Sequence, residues 1–225
     1  MVHAGNITYA RERDLPETVA VFPLTGALLL PGGQMPLNIF EPRYLAMIDD
    51  ALAGTRLIGM IQPRLDGEKL GSGEPELCQV GCLGRITSVA ETGDGRYIIN
   101  LAGVCRFRVT EELAVKTGYR TCRIAPFIRD LDLSDGAAEV DRDGLLSAFR
   151  QYLDANQLEA DWDSVTKASN ETLVNALCMM SPYGPAEKQA LLEASDLKTR
   201  AETLVAITEI ALAREGMEDG GPTLQ

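Results

Sequence analysis

Residues 19–54 read VAVFPLTGALLLPGGQMPLNIFEPRYLAMIDDALAG, and this stretch decides the fold. Residues 19–24 and 35–40 are apolar and have the composition of β-strands. Between them, Pro31-Gly32-Gly33 is typical of a turn, because proline fixes φ and glycine adopts positive φ. Pro42 suits the first turn of a helix, and apolar residues then recur at helical spacing up to Gly54. The stretch therefore predicts a strand, a loop, a second strand and a helix that covers them.

Composition excludes several classes of partner. The chain has 225 residues and a formal net charge of −12. A negative surface repels phosphate backbones and anionic lipids, so we expect neither nucleic acid nor a membrane as a partner. The N-terminus lacks the pattern of a signal peptide, and no apolar run approaches the roughly 20 residues that span a bilayer, which predicts a cytoplasmic protein. The five cysteines lie in apolar contexts, which indicates reduced thiols in a core.

The first part of the chain has the pattern of a β domain. Beyond the two strands of the opening stretch, further β-type segments are separated by turn residues. They are residues 56–62, 78–91, 96–101, 104–109 and 119–129. At least six short strands with few helices are typical of a small barrel or sandwich.

The pattern changes to helical spacing near residue 135. Apolar residues at this spacing predict helices at 141–155, 165–180 and 186–194, and a last helix that is capped by Ser195 and ends near Arg214. The sequence therefore predicts an α+β chain with four parts. They are an irregular arm at 1–18, a β subdomain at 19–134, a helical subdomain at 135–214 and a flexible tail at 215–225.

The residues that usually carry catalysis or metal binding are sparse. The sole histidine is His3, and the sequence contains no phosphate-binding loop, so we expect no histidine-based catalysis and no nucleotide cofactor. Cys78 and Cys82 would lie about 13 Å apart on a strand, which is too far to share a metal ion. We therefore predict no catalytic site, no metal and no cofactor.

Two groups of residues leave alternatives open. Arg106 and Arg108 share one face of a predicted strand, which is either a solvated face or a site for an anion. Residues 27–30 (ALLL) precede the predicted turn, and they are either a core strand or an exposed apolar edge that binds a partner peptide. Glu41 and Arg43 at the start of the predicted helix indicate structural hydrogen bonds or an ion pair rather than a catalytic pair.

Short motifs along the chain then resemble those of one protein family. They are VFPL at 21–24, LPG at 30–32, MPL at 35–37, NIFEPRY at 38–44, VGCLGRI at 80–86, DGRY at 94–97, LAGVCRF at 101–107, EKQALLEA at 187–194 and DLKTR at 196–200. Together they resemble the N-terminal substrate-binding domain of Lon proteases, in a stand-alone form, over about residues 19–214. The NIFEPRY run, in register with the other motifs, carries most of the resemblance.

The resemblance implies a PUA-like β pseudo-barrel followed by a helical bundle, and recognition of polypeptides ahead of degradation. The ATPase and peptidase of full-length Lon have no counterpart here, so we expect a non-catalytic binding module. Its expected partners are unfolded or tagged polypeptides and a Lon-type protease; the alternative is a PUA-like regulatory domain that binds a small ligand or RNA. The expected binding residues are Leu28, Leu29, Leu30, Pro31, Gly32, Gly33 and Gln34, and the residues expected to fasten the helix to the barrel are Glu41, Arg43 and Tyr44.

Overall fold

Strands come first along the chain and helices follow, which confirms the predicted α+β order. The computed structural model describes residues 1–64, 73–133 and 137–218. The strands in these ranges are β1 (Val2–Ala4), β2 (Ile7–Tyr9), β3 (Thr18–Pro23), β4 (Gln34–Ile39), β5 (Leu57–Pro63), β6 (Leu77–Glu91), β7 (Tyr97–Leu113) and β8 (Arg120–Pro126). The α-helices are α1 (Pro42–Ala53), α2 (Arg142–Ala155), α3 (Trp162–Lys167), α4 (Asn170–Met180), α5 (Pro185–Glu193) and α6 (Leu197–Glu218).

Five of the strands close into a barrel. The sheet order is β4-β7-β6-β5-β3-β8, and β8 also pairs with β7, which joins the two ends. β3 and β5 are parallel, and the other neighbours are antiparallel. The two strands predicted at 96–101 and 104–109 are one strand, β7, which begins at Tyr97. β6 pairs with it from Tyr97 to Arg108, while β4 pairs with its first part and β8 with its second. The predicted β subdomain is therefore a barrel with β4 attached along one side.

Phe107 fills the centre of the barrel. Its side chain is fully buried, and Gly59 and Gly81 on the neighbouring strands face its ring. A Cβ atom on Gly81 would lie 2.5 Å from the ring atom Cζ of Phe107, so this position has room only for glycine. The ring and these two glycines thus form one packing unit, in which the large residue takes the space that the small ones leave.

The N-terminal arm is more ordered than the sequence predicted. β1 and β2 form a hairpin in which Val2 lies opposite Tyr9. Val2, Ala4 and Tyr9 are buried against the barrel interior. The prediction of an irregular arm was wrong for these residues, because strands of three residues are too short to show an alternating pattern.

The predicted helix at 165–180 is two helices. α3 ends at Lys167, and α4 begins after Ser169, whose hydroxyl oxygen accepts a hydrogen bond from the Thr172 N–H at 3.2 Å. A serine in this position satisfies one of the unpaired N–H groups of a first turn, so it starts a new helix rather than continuing the old one.

The last helix is capped one residue later than predicted, and it ends four residues later. Its cap is Asp196 rather than Ser195, and the Asp196 carboxylate accepts the Thr199 N–H at 2.8 Å. This hydrogen bond is the largest of the effects that lower the pKa of Asp196 to about 2. α6 continues to Glu218, four residues beyond the predicted end at Arg214. Residues 219–225 and the predicted subdomain boundary at 134–135 lie outside the described residues.

A second apolar cluster joins the barrel to the helices. Leu28, Leu29 and Leu30 are only 3%, 1% and 0% exposed and lie within this cluster. They pack with apolar residues of α1, of the barrel strands and of α4. Of the two alternatives for residues 27–30, the exposed edge was therefore wrong for the three leucines, because the helical subdomain covers them.

A buried arginine joins the same two parts by hydrogen bonds. The Arg106 guanidinium on β7 donates to both carboxylate oxygens of Asp130, at 2.8 Å each. Its other N–H groups donate to the carbonyl oxygens of Leu192, Ala194 and Ser195 at the end of α5. Arg106 is 3% exposed, so the expectation of a solvated face or an anion site was wrong for this residue. A buried charge is stable only when it is paired, and here all five N–H donors are used.

We expect the Arg106→Met substitution to lower the free energy of unfolding by about 3–5 kcal/mol, because it leaves the Asp130 carboxylate buried without its partner. Arg108→Met is the matched control, because Arg108 lies two residues away on the same strand and is exposed. It should change the free energy of unfolding by about 0.5 kcal/mol or less. Urea denaturation measures both, and equal losses would contradict the special role of Arg106.

Candidate functional site

The loop at Pro31–Gln34, here called the Pro31 loop, is held in place from two sides. Gly103 on β7 accepts the Gly32 N–H at 3.0 Å and donates its own N–H to the Gly33 carbonyl at 2.9 Å. A Cβ atom on Gly103 would overlap the Leu30 carbonyl oxygen, so the close approach of the loop requires glycine there. Pro31 is buried, whereas Gly32 and Gln34 are exposed. The loop is therefore fixed at its base and open at its tip.

Helix α4 supplies the second contact to this loop. The buried Asn175 side chain donates from Nδ2 to the Pro31 carbonyl oxygen at 3.1 Å. Its Oδ1 atom accepts a hydrogen bond from the buried Arg200 guanidinium of α6 at 3.1 Å. Burial and the nearby positive charge of Arg106 lower the pKa of Arg200. A chain of polar contacts thus runs from α6 through α4 to the loop.

A cavity of about 270 Å³, here called the loop groove, lies between the Pro31 loop and α4. One wall is Pro31, Gly32, Gly33 and Gln34, and the other is Glu171, Thr172, Asn175, Ala176, Met179 and Met180. Met180 is 82% exposed. Of the seven residues predicted to bind a partner, the four of the Pro31 loop thus line one open groove, whereas Leu28, Leu29 and Leu30 do not line it.

The lining of the loop groove is mainly apolar. Of the described residues that line it, the one with an ionisable side chain is Glu171. Partial burial, followed by the nearby Asp132, raises the pKa of Glu171. General acid–base or nucleophilic catalysis needs a second group within hydrogen-bond reach, such as a histidine, a thiol or an amine. Apart from Glu171, the described lining residues offer apolar side chains, backbone groups and the neutral polar side chains of Gln34, Thr172 and Asn175.

Sequence reasoning missed the contribution of α4. In the predicted helix at 165–180, helical spacing places Met180 on the same apolar face as Leu173, Val174 and Leu177. In the structure the helix ends at Met180 and leaves that side chain in solvent. The signal that could have found the site is Asn175, a polar residue inside the apolar run TLVNALCMM. A buried amide needs hydrogen-bond partners, and here they are the loop and α6.

The residues predicted to fasten α1 to the barrel make unequal contacts. The Glu41 carboxylate accepts from Arg43 Nε at 3.0 Å, and Arg43 also donates to Glu74 at 2.8 Å. These side chains are more than a third exposed. The Tyr44 ring is buried and packs edge-on against Phe22 of β3, with 4.3 Å between the ring centres. Burial raises the pKa of Tyr44.

Elsewhere in the described residues, the structure offers no evident metal or nucleophilic site. No three histidine, cysteine, aspartate or glutamate side chains in these ranges lie close enough together to hold a metal ion. Four of the five cysteines are buried. Burial raises the pKa of Cys105 and of Cys178 to about 12 and that of Cys122 to about 11, so these thiols stay protonated at neutral pH. Across the same ranges, none of the helices combines the length and the apolarity that crossing a bilayer requires.

Solved structures show the class of fold. The crystal structure of a Lon N-terminal domain protein from Xanthomonas campestris matches 84% of this chain and 97% of its own, with a TM-score of 0.60 and 23% identity. The N-terminal domain of Mycobacterium avium complex Lon protease matches 85% of this chain and 98% of its own, with a TM-score of 0.60 and 18% identity. The fold is therefore that of a Lon N-terminal domain.

Sequence comparison then shows the family. The family model described as the ATP-dependent protease La (LON) substrate-binding domain matches residues 18–209, so this chain belongs to that family. Lon protease 2 of Myxococcus xanthus is 27% identical over 206 residues, which are 87% of this chain and 24% of that protein. Lon protease 2 of Sorangium cellulosum is 29% identical over 205 residues, 85% of this chain and 24% of that protein. The chain thus spans about a quarter of the length of these relatives.

We expect Tyr44→Ala to lower the free energy of unfolding by about 3 kcal/mol or more, because it removes a buried ring from the contact between α1 and β3. Arg43→Ala should cost about 1 kcal/mol or less, since its ion pairs are exposed to solvent. Tyr44→Phe keeps the ring and should stay close to the unsubstituted protein. Chemical denaturation compares the three variants, and a larger loss for Arg43→Ala than for Tyr44→Ala would contradict this ranking.

Proposed function

We propose that this chain is a non-catalytic module that recognises polypeptide segments. The observation that carries the proposal is the loop groove, an open cavity with exposed methionine and glycine backbone and without a pair of catalytic groups among its described residues. Methionine is unbranched and polarisable, so it adapts to side chains of different shape. The apolar side chains of an unfolded chain gain free energy when they leave water for such a surface.

The family supports the same function. The matching family is named for substrate binding, and the relatives that contain this region are Lon proteases. A substrate-binding region of a protease must accept many sequences, which agrees with a groove lined by Met179 and Met180. We propose unfolded or tagged polypeptides as partners, a Lon-type protease as a further partner, and the cytoplasm as the location. The net charge of −12 argues against nucleic acid.

A small-ligand domain is the second candidate, and one cavity favours it. A space of about 810 Å³ lies between the barrel and α5, where Arg108, Phe127 and Gln189 are among its lining residues. The Arg108 guanidinium lies over the Phe127 ring, 5.8 Å from its centre, and donates to Gln79 at 3.2 Å. An arginine beside an aromatic ring suits an anionic or planar small molecule.

If this cavity binds such a ligand, at least one compound in a thermal-shift screen of anionic metabolites should raise the melting temperature of the protein. Arg108→Gln should abolish that rise, because it removes the charge, and Arg123→Gln is the exposed control on β8. A screen without stabilising compounds would contradict the small-ligand function.

For the polypeptide function, we expect Met180→Gln to weaken binding of a permanently unfolded, carboxamidomethylated protein about tenfold, because it replaces an apolar contact in the loop groove by a polar one. Glutamine has nearly the same length and helix propensity as methionine, so stability should not change. Ile210→Gln is the matched control, since Ile210 is 52% exposed on α6. Fluorescence anisotropy measures the affinities, and failure of the unsubstituted protein to bind the unfolded chain would contradict the proposed function.

A further inference from the structure

A second, larger cavity lies on the other side of α4, among α2, α3 and α4. This cavity of about 500 Å³, here called the helical groove, is mainly apolar. Its apolar lining includes Phe149, Tyr152, Leu153, Leu158, Val165, Leu173, Leu177 and Met180. Two of these side chains are largely exposed: Leu158, between α2 and α3, is 52% exposed, and Met180, at the end of α4, is 82% exposed. A contiguous apolar surface of this kind is typical of a binding groove.

The helical groove continues into the loop groove. Thr172, Ala176 and Met180 line both cavities, so one face of α4 forms a ridge with a groove on each side. A polypeptide segment that enters the loop groove beside the Pro31 loop can therefore cross Met180 and continue along the helices. The two cavities form one extended surface.

The charged residues of this surface all have one sign. Glu159 and Asp161 line the helical groove and Glu171 lines the loop groove, while no lysine or arginine is among the described residues that line either cavity. Asp161 caps α3, and hydrogen bonds from the Ser164 hydroxyl and N–H lower its pKa. Residues 141–180 carry seven acidic and three basic side chains.

The basic residues of this segment are Arg142, Arg150 and Lys167, and none of them lines either cavity. With seven acidic side chains against these three, the segment has a net charge of −4. Arg142 donates to the Asn170 side chain and to the Val165 carbonyl, both at 2.7 Å. The Arg150 guanidinium lies 4.5 Å from the centre of the Trp162 ring. The rim of the extended surface is therefore negative beside its apolar floor.

We propose that this surface binds apolar polypeptide segments that carry lysine or arginine next to their apolar side chains. The proposal rests on the polypeptide-binding function and narrows its substrate class. Charge complementarity identifies the occupant: basic side chains beside the apolar residues meet Glu159, Asp161 and Glu171, whereas acidic ones are repelled. A second copy of this chain is a poor occupant, since its own net charge is −12.

The test compares two labelled peptides of equal length with the same apolar residues, one with three lysines beside them and the other with three glutamates. By fluorescence anisotropy at low salt, we expect the lysine peptide to bind about tenfold more tightly, and this ratio to shrink at higher salt because exposed charges are screened. The double variant Glu159→Gln with Asp161→Asn should reduce the ratio to about twofold or less. Asparagine caps helices as well as aspartate does, so α3 should remain folded.

The control is Glu202→Gln with Glu209→Gln, which removes two exposed negative charges from α6 and should leave the ratio unchanged. Circular dichroism and thermal melts verify that both double variants are folded. Equal affinity for the two peptides would overturn the charge preference and leave polypeptide binding intact. Absence of binding for both peptides would overturn the polypeptide-binding function itself. A ratio that the control lowers as much as the groove variant would show a general effect of net charge and overturn the assignment to these grooves.

Discussion

The position of the helices on the barrel depends on the buried Arg106 guanidinium. An unpaired charge in this interior would cost several kcal/mol, so the arrangement is stable only while each N–H donor keeps its partner. Those partners come from both parts of the chain: the Asp130 carboxylate just after β8, and carbonyl groups at the end of α5. Apolar packing alone would permit small shifts of the helices, but directional bonds to a planar group fix one arrangement.

The grooves depend on this same joint. Arg200 lies next to Arg106 in the interior and binds the Leu191 carbonyl and the Asn175 side chain. Asn175 in turn holds the Pro31 carbonyl, so the loop, α4 and α6 are connected by hydrogen bonds between buried groups. Two of the groove's lining residues, Pro31 and Asn175, are therefore held in place by Arg200, which does not line the groove. A binding surface with rigid walls loses less conformational entropy when it binds.

The sequence was sufficient for features that depend on local patterns, and insufficient for those that depend on distant partners. Alternation and turn residues predicted the barrel strands, and helical spacing predicted the later helices. The segment VCRFRV, however, gives Arg106 and Arg108 the same pattern. They differ because Asp130 and the α5 carbonyls, which lie 24 to 89 residues away, reach only Arg106. The burial of Leu28–Leu30 and the exposure of Met180 likewise follow from how the subdomains meet.

Buried residues and surface residues have different roles in this fold. Buried polar groups bind one another and specify the arrangement, and among the described residues no buried side-chain nitrogen or oxygen lacks a hydrogen-bond partner. The surfaces that remain open keep apolar side chains and acidic groups. Helix α4 shows the division within 11 residues, since Asn175 faces the interior and Met180 faces solvent. A surface built this way can change its substrate preference by substitutions at the rim without loss of the fold, since the rim contributes little to stability.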